Sequence, residues 1–340
     1  MGVKLGSLFP SEQISFKDLH DRIIVIDAYN VLHQFLATIR QRDGTALKNA
    51  DGKITSHLSG LFYRSANLVQ NKIKPVYVFD GKPHELKQET IDERNRRRLQ
   101  AEKDWKDALE KGDTAKARVK AQQTSRVTDE IVEQSKTLLE ILGIPYVQAP
   151  EEGEAQASYM VRKGDAYGVG SQDFDCLLIG SPVLIRNLTS SSKRKLPGKK
   201  AYVKVHPERI YLNQTLDKLG ISQKQLVDMA ILMGTDFNEG IKGIGPKKSL
   251  KLIKKNGNIE NVISTIGSDE APTFEKIKKI RSMFLNPKTT DDYELSWSQP
   301  DEQKLVYFLS EKYQFSEKRI ESMLKKFEPI KEMKKQQTLF

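Results

Sequence analysis

The chain has 340 residues, 38% of them hydrophobic, and carries 56 Lys and Arg against 45 Asp and Glu, a formal net charge of +11. That length allows a sizeable core in one large or two modest domains, and no apolar run approaches the ~18 residues of a membrane span, so the composition is that of a soluble globular protein. Cys176 is the single cysteine, which excludes an intrachain disulfide and a thiolate zinc cluster and fits a reducing interior. The basic excess favours a polyanionic partner, nucleic acid ahead of an anionic membrane.

In chain order, Arg22-Ile-Ile-Val-Ile-Asp27 reads as a buried strand that ends on an acid, and Pro75-Val-Tyr-Val-Phe-Asp80 repeats the plan. Ile144–Val147 and Ala166–Gly170 are two more short strands, the second running into Ser171-Gln172-Asp173. Helical periodicity covers 28–40, 55–72, 128–142 and 153–163. Alternating strands and helices predict an α/β fold, with a largely parallel central sheet and helices on both faces. Ligands in such folds bind beyond the carboxyl ends of the strands.

Residues 82–128 interrupt this pattern. Between Lys82 and Arg126 there are 13 Lys or Arg and 9 Asp or Glu, with few apolar residues among them. Such a stretch buries little, and predicts helices projecting from the body. Ser190–Lys204 is a basic loop or hairpin. Beyond Gln223 the chain turns helical, and amphipathic helices run from Asp301 to about Lys335, reaching into a tail taken as 331–340. The whole reads as one domain over 1–330.

Seven acids cluster at strand ends and helix starts: Asp27, Asp80, Glu152, Glu154, Asp173, Asp175 and Asp236. Read alone, they fit helix caps and turn residues as well as a metal site. As a site they would repel one another without cations, and oxygen-only ligands suit Mg²⁺ or Mn²⁺ rather than zinc. Two such ions could serve phosphodiester hydrolysis. A second constellation runs from Gly240 through Gly243 and Gly245 to Pro246-Lys247-Lys248. Pro246 stands where a Walker-type loop needs lysine, so a helix–turn–helix over 234–256 fits better. Six lysines and no acid between Ile241 and Lys255 suit a DNA backbone rather than base edges.

Taken together, the strand ending in Asp27, Val-Phe-Asp80-Gly-Lys-Pro, Ala-Pro-Glu-Glu152-Gly-Glu154-Ala, Ser-Gln-Asp173-Phe-Asp175-Cys-Leu and Gly-Thr-Asp236 followed by Gly-Ile-Gly-Pro-Lys-Lys resemble the flap endonuclease family, in its order and over nearly the whole chain. The compact length resembles the archaeal branch. The resemblance implies a PIN-like core that cuts branched DNA near the base of a 5′ single-stranded flap, in replication and repair. It implies that the seven acids hold two Mg²⁺ ions. It also implies that 82–128 is a helical arch whose Lys87 and Arg94 contact the scissile phosphate, and that 234–256 is a helix–two-turn–helix gripping duplex DNA with a K⁺ ion. Gly2, once Met1 is removed, resembles the family's N-terminal glycine near the active site. Two departures stand out. His33 occupies the place of a tyrosine that stacks on a base, leaving stacking and a core role both open. The tail Gln336-Gln337-Thr338-Leu339-Phe340 supplies the glutamine and aliphatic of a sliding-clamp peptide and stops before its aromatic pair. The resemblance points to a monomer acting inside the cell with the DNA, away from membranes. Alternatives are a 5′-exonuclease or junction-cutting nuclease of a sister branch and, from a different class, a non-catalytic DNA-binding scaffold for the clamp.

Overall fold

Ile23–Asp27 (β2) has four hydrophobic residues before its terminal acid and becomes the middle one of the five parallel strands in a seven-stranded sheet. The structure, a computed structural model, describes residues 3, 5–41, 43–189, 193–195, 202–267 and 271–330. Gly2 and the tail residues Gln336, Leu339 and Phe340 lie outside the described residues. With β1 at Glu12–Gln13, β3 at Lys74–Phe79, β4 at Tyr146–Gln148, β5 at Gly168–Gly170, β6 at Val183–Arg186 and β9 at Glu208–Tyr211, the strand order is β1-β9-β6-β5-β2-β3-β4. The five strands from β6 to β4 are parallel; β9 and β1 join antiparallel at one side. A separate two-stranded ribbon pairs Lys193–Lys195 (β7) with Tyr202–Lys204 (β8).

The chain moves outward from β2 through β3 to β4, then returns to β5 and moves the other way. Right-handed crossovers therefore place the helices α1 (Ala28–Thr38) and α2 (Ser56–Gln70) on one face and α6 (Gly153–Lys163) on the other. The reversal between β2 and β5 is a topological switch point, where strand ends splay and leave a crevice. A single apolar core runs from Val3 to Ile330 around this sheet, and includes the fully buried Trp297, whose indole donates to the Pro75 carbonyl at 3.0 Å.

The charged insert forms a helical hairpin of α3 (Gln88–Glu110) and α4 (Thr114–Gln122). Its buried residues are Ala101, Ala108, Ala117 and Ala121, while Leu99 and Val119 remain exposed. Small side chains let the two helices approach without building a core of their own. Arg40, two residues past α1, holds the chain that leaves α4, donating to the Leu36 and Gly44 carbonyls and to Ser125 Oγ at 3.1 Å. Helix α5 (Asp129–Ile141) returns the chain to the sheet. Beyond the sheet, α7 (Asp175–Leu178), α8 (Leu212–Leu219), α9 (Gln223–Met233), α10 (Pro246–Asn256), α11 (Ile259–Ile266) and α12 (Phe274–Leu285) follow, and the chain closes through α13 (Glu302–Val306) and α14 (Glu317–Leu324).

Candidate active site and nucleic-acid interface

Parallel strands bring their carboxyl ends to one edge, and the acids emerge there. Asp27 ends β2 and caps α1, accepting the Asn30 N–H at 3.0 Å. Asp80 follows β3 and accepts the N–H of Gly153, the first residue of α6, at 2.7 Å. Glu152 is the residue before α6, and Glu154 its second residue. Asp173 lies between β5 and α7, where Asn30 Nδ2 donates to it at 2.9 Å. Asp175 opens α7 and accepts the Val3 N–H at 2.9 Å, so the N-terminal segment reaches the same place. Asp236 sits at the tip of a short hairpin, Gly234–Thr235 (β10) against Asn238–Glu239 (β11), directly after α9.

The electrostatics join these seven into one group. Burial, then the charges of Asp80 and Asp173, pushes Asp27 up to about 8. Asp80 rises to about 6 through burial and Glu152, with the Gly153 N–H and Lys87 opposing. Asp175 rises to about 6 through burial first, with Asp236 and Asp173 adding to it against the Val3 N–H. Glu154 is held well above the carboxylate range by burial, Asp175, Asp27 and Asp173. Ser171 Oγ and Cys176 Sγ both donate to Glu154 Oε1, at 3.4 and 3.6 Å. Among the described residues no three of these groups close on one point as the ligands of a single ion. The cluster is instead a chain of repelling neighbours with side chains bridged to cations at its open end. Oxygen donors that cannot all ionise together are a chemical match for hard divalent cations, which lower every one of these pKa values at once.

The positively charged side chains at that end come from the start of the helical hairpin. Lys87 is ion-paired with Glu152 and lies 4.0 Å from Asp236 Oδ2. Arg94 Nη2 reaches both Asp236 oxygens, at 2.7 and 2.6 Å, and Thr90 Oγ1, one turn before it, donates to the Asp236 carbonyl at 2.8 Å. His33 stands on α1 with part of its surface exposed. Partial removal of the ring from water, then the guanidiniums of Arg98 and Arg94, pushes its pKa down to about 4. Asn30, Thr90 and Ser171 escaped the sequence reading. Only Asn30 left a signal, since it stands three residues after the capping acid Asp27.

The lysine-rich turn lies between α9 and α10. Gly243 has φ +79, and at Gly243 and Gly245 no atom stands within 4 Å of where a Cβ would be. The backbone there is open to a close-lying group. Pro246 is the first residue of α10 and needs no N–H partner, and no side chain caps this helix start. Lys242, Lys247, Lys248, Lys251, Lys254 and Lys255 are all exposed. Behind this surface Arg281 of α12 clasps the fully buried Asp228 of α9 at 2.7 Å and Glu260 of α11 at 2.9 Å, fixing three helices together.

Comparison with known proteins places this geometry. Residues 1–101 match the XPG N-terminal domain and residues 143–236 the XPG I-region. A flap endonuclease 1 from Pyrococcus abyssi is 48% identical over 345 aligned residues, covering 100% of this chain and 97% of its own. The structure of flap endonuclease-1 from Methanococcus jannaschii superposes with a TM-score of 0.76 at 41% identity, covering 97% of this chain and 98% of that one. The catalytic core of Rad2 in complex with a DNA substrate gives 0.68 at 25% identity, over 94% and 96% of the two chains. The chain belongs to the flap endonuclease family, metal-dependent nucleases built from the XPG N-terminal domain and I-region.

Proposed function

We propose that this protein removes 5′ single-stranded flaps from branched DNA, hydrolysing a phosphodiester bond near the flap base during replication and repair. The observation that carries the reading is the meeting of seven acids at a topological switch point with Lys87 and Arg94 from a projecting helical hairpin. Asp27, Asp80, Glu152, Glu154, Asp173, Asp175 and Asp236 are the residues that would hold two Mg²⁺ ions, with Mn²⁺ able to substitute. Bound there, the ions supply an acidified water and neutralise charge on the leaving oxygen.

The chain's own residues do the rest. Lys87 and Arg94 exchange their carboxylate partners for the scissile phosphate and stabilise charge that grows there in the transition state. The hairpin of α3 and α4 is the arch through which the 5′ strand passes, and His33 offers a neutral ring on which a base can stack. The Gly243, Gly245, Lys247 and Lys248 surface grips the duplex through its phosphates and places a K⁺ ion. Val3, the residue after Gly2 in the sequence, donates its N–H to Asp175. Gln336, Leu339 and Phe340 form a partial sliding-clamp peptide, and the protein works as a monomer with its DNA. Among the described residues no helix is long and apolar enough to cross a membrane.

The test is cleavage of end-labelled DNAs in Mg²⁺ with an EDTA control: a free 5′ flap, the same flap blocked at its 5′ end, a nicked duplex and a four-way junction. Cutting of the free flap near its base and poor cutting of the blocked one is the expected result. Preference for the nick or the junction would keep the metal chemistry and move the substrate to that of a sister branch.

A further inference from the structure

Beside the acids lies a cavity of about 460 Å³, inside the ~300–1,000 Å³ range of small-ligand sites. Glu152 belongs to both places: it pairs with Lys87 and also lines the cavity. Leu86 at the foot of the arch and Phe237, the residue after Asp236, form apolar walls, and Met283 of α12 adds a third. Phe237 is held by an edge contact with Phe284, ring centroids 5.5 Å apart, and Lys87 Nζ lies 5.3 Å from its centroid. The walls are therefore one residue away from Lys87 on one side and from Asp236 on the other. Ser282 and Asn286 bring a hydroxyl and an amide to the same space. Apolar walls with a few hydrogen-bonding groups suit a nucleobase, which has two apolar faces and a polar edge. Lys279, also on the lining, pairs with Glu275 at 2.9 Å, an exposed i,i+4 pair weak enough to be exchanged for a phosphate.

We propose that this cavity is a nucleotide subsite, taking the base and sugar of one unpaired nucleotide that flanks the scissile phosphate. The inference rests on the flap-cutting reading above and adds to it where one neighbouring nucleoside goes. A phosphate held at Lys87 leaves the next sugar and base within reach of the Leu86 and Phe237 walls. Apolar contact with such walls accepts any base, so the subsite favours unpaired DNA without a strong sequence preference.

The experiment measures single-turnover kcat/KM on 5′-flap DNA, intact or with an abasic site at either nucleotide flanking the cut. It compares the native chain with Ser282→Trp, which fills the cavity from an exposed helix position, and with Asn286→Trp, which fills it from the other end. The native chain is expected to lose roughly tenfold, about 1.4 kcal/mol, when the base at one of the two positions is removed. Each Trp variant loses a similar amount on intact DNA and nothing further on the abasic DNA. Insensitivity of the native chain at both positions, or an undiminished abasic loss in both Trp variants, would overturn the subsite while leaving the flap reading intact. Failure of the native chain to cut the intact flap would remove the flap reading, and the subsite with it.

Discussion

Asn30 donates its side-chain amide to Asp173 Oδ2 at 2.9 Å, linking the first turn of α1 to the loop after β5 across 143 residues of sequence. Its backbone N–H is the one that Asp27 caps. One residue thus sets the spacing of two acids on either side of the switch point between β2 and β5. Partners of this kind that orient metal ligands are worth about 10–100-fold in metal affinity. Asn30→Ala should therefore weaken Mn²⁺ binding by that amount in calorimetry, with little change in melting temperature. An unchanged affinity would show that Asp173 is held in place without it.

Arg94 and Lys87 face Asp236 and Glu152 from the start of the helical hairpin. If their task is transition-state charge, removing either should slow the chemical step and spare DNA binding. Arg94→Ala should lower the single-turnover rate about 10²–10³-fold, as loss of an aimed donor does, while the Kd for flap DNA changes little. A rate loss that saturating DNA restores would instead make Arg94 a binding residue.

Burial and mutual repulsion raise Asp27 to about 8 and Asp80 and Asp175 to about 6, against 3.8 for an unperturbed Asp. Between those limits the folded chain binds more protons than the unfolded one. Stability of the metal-free protein therefore falls as pH rises through about 4 to 8, and the loss is complete only above the folded pKa values. In EDTA the melting temperature should decline from about pH 5 to about pH 8.5, and Mg²⁺ should flatten that decline by displacing the protons. Asp27→Asn should flatten it without metal. Parallel profiles with and without Mg²⁺ would mean that the acids do not share an ion.

Much of this was legible in the sequence, and the exceptions have physical causes. Helix α6 runs from Gly153 to Lys163 as the periodicity predicts, because an acid precedes it and Gly164, at φ +92, ends it. The strand ends that carry Asp27 and Asp80 were equally plain, since apolar runs stop at each. By contrast, β1 has two exposed residues, Glu12 and Gln13, and exists only because β9 offers a free backbone edge. The third strand lies at Tyr146–Gln148 rather than Ile144–Val147, its register set by pairing Tyr146 with Tyr77. Thr90 meets Asp236 across 146 residues, and no local pattern encodes such a contact. Nor does any pattern encode the cavity between Leu86, Phe237 and Met283, which needs three separate segments to meet.

The lysine surface of α10 gives the last prediction. Six exposed lysines lie between residues 242 and 255 with no acid among them, and Gly243 and Gly245 leave the backbone open beside them. A surface that neutralises phosphates releases counterions, so the logarithm of affinity falls linearly with the logarithm of salt, by about 0.9 per phosphate contacted. Replacing Lys247 and Lys248 with Ala should reduce that slope by about two and weaken binding evenly across DNA sequences. The rate at saturating DNA should stay the same, because neither lysine touches the acids. A slope equal to the native one would show that the duplex lies elsewhere on the protein, and a lowered saturating rate would show that this surface also sets how the scissile bond meets Lys87 and Arg94.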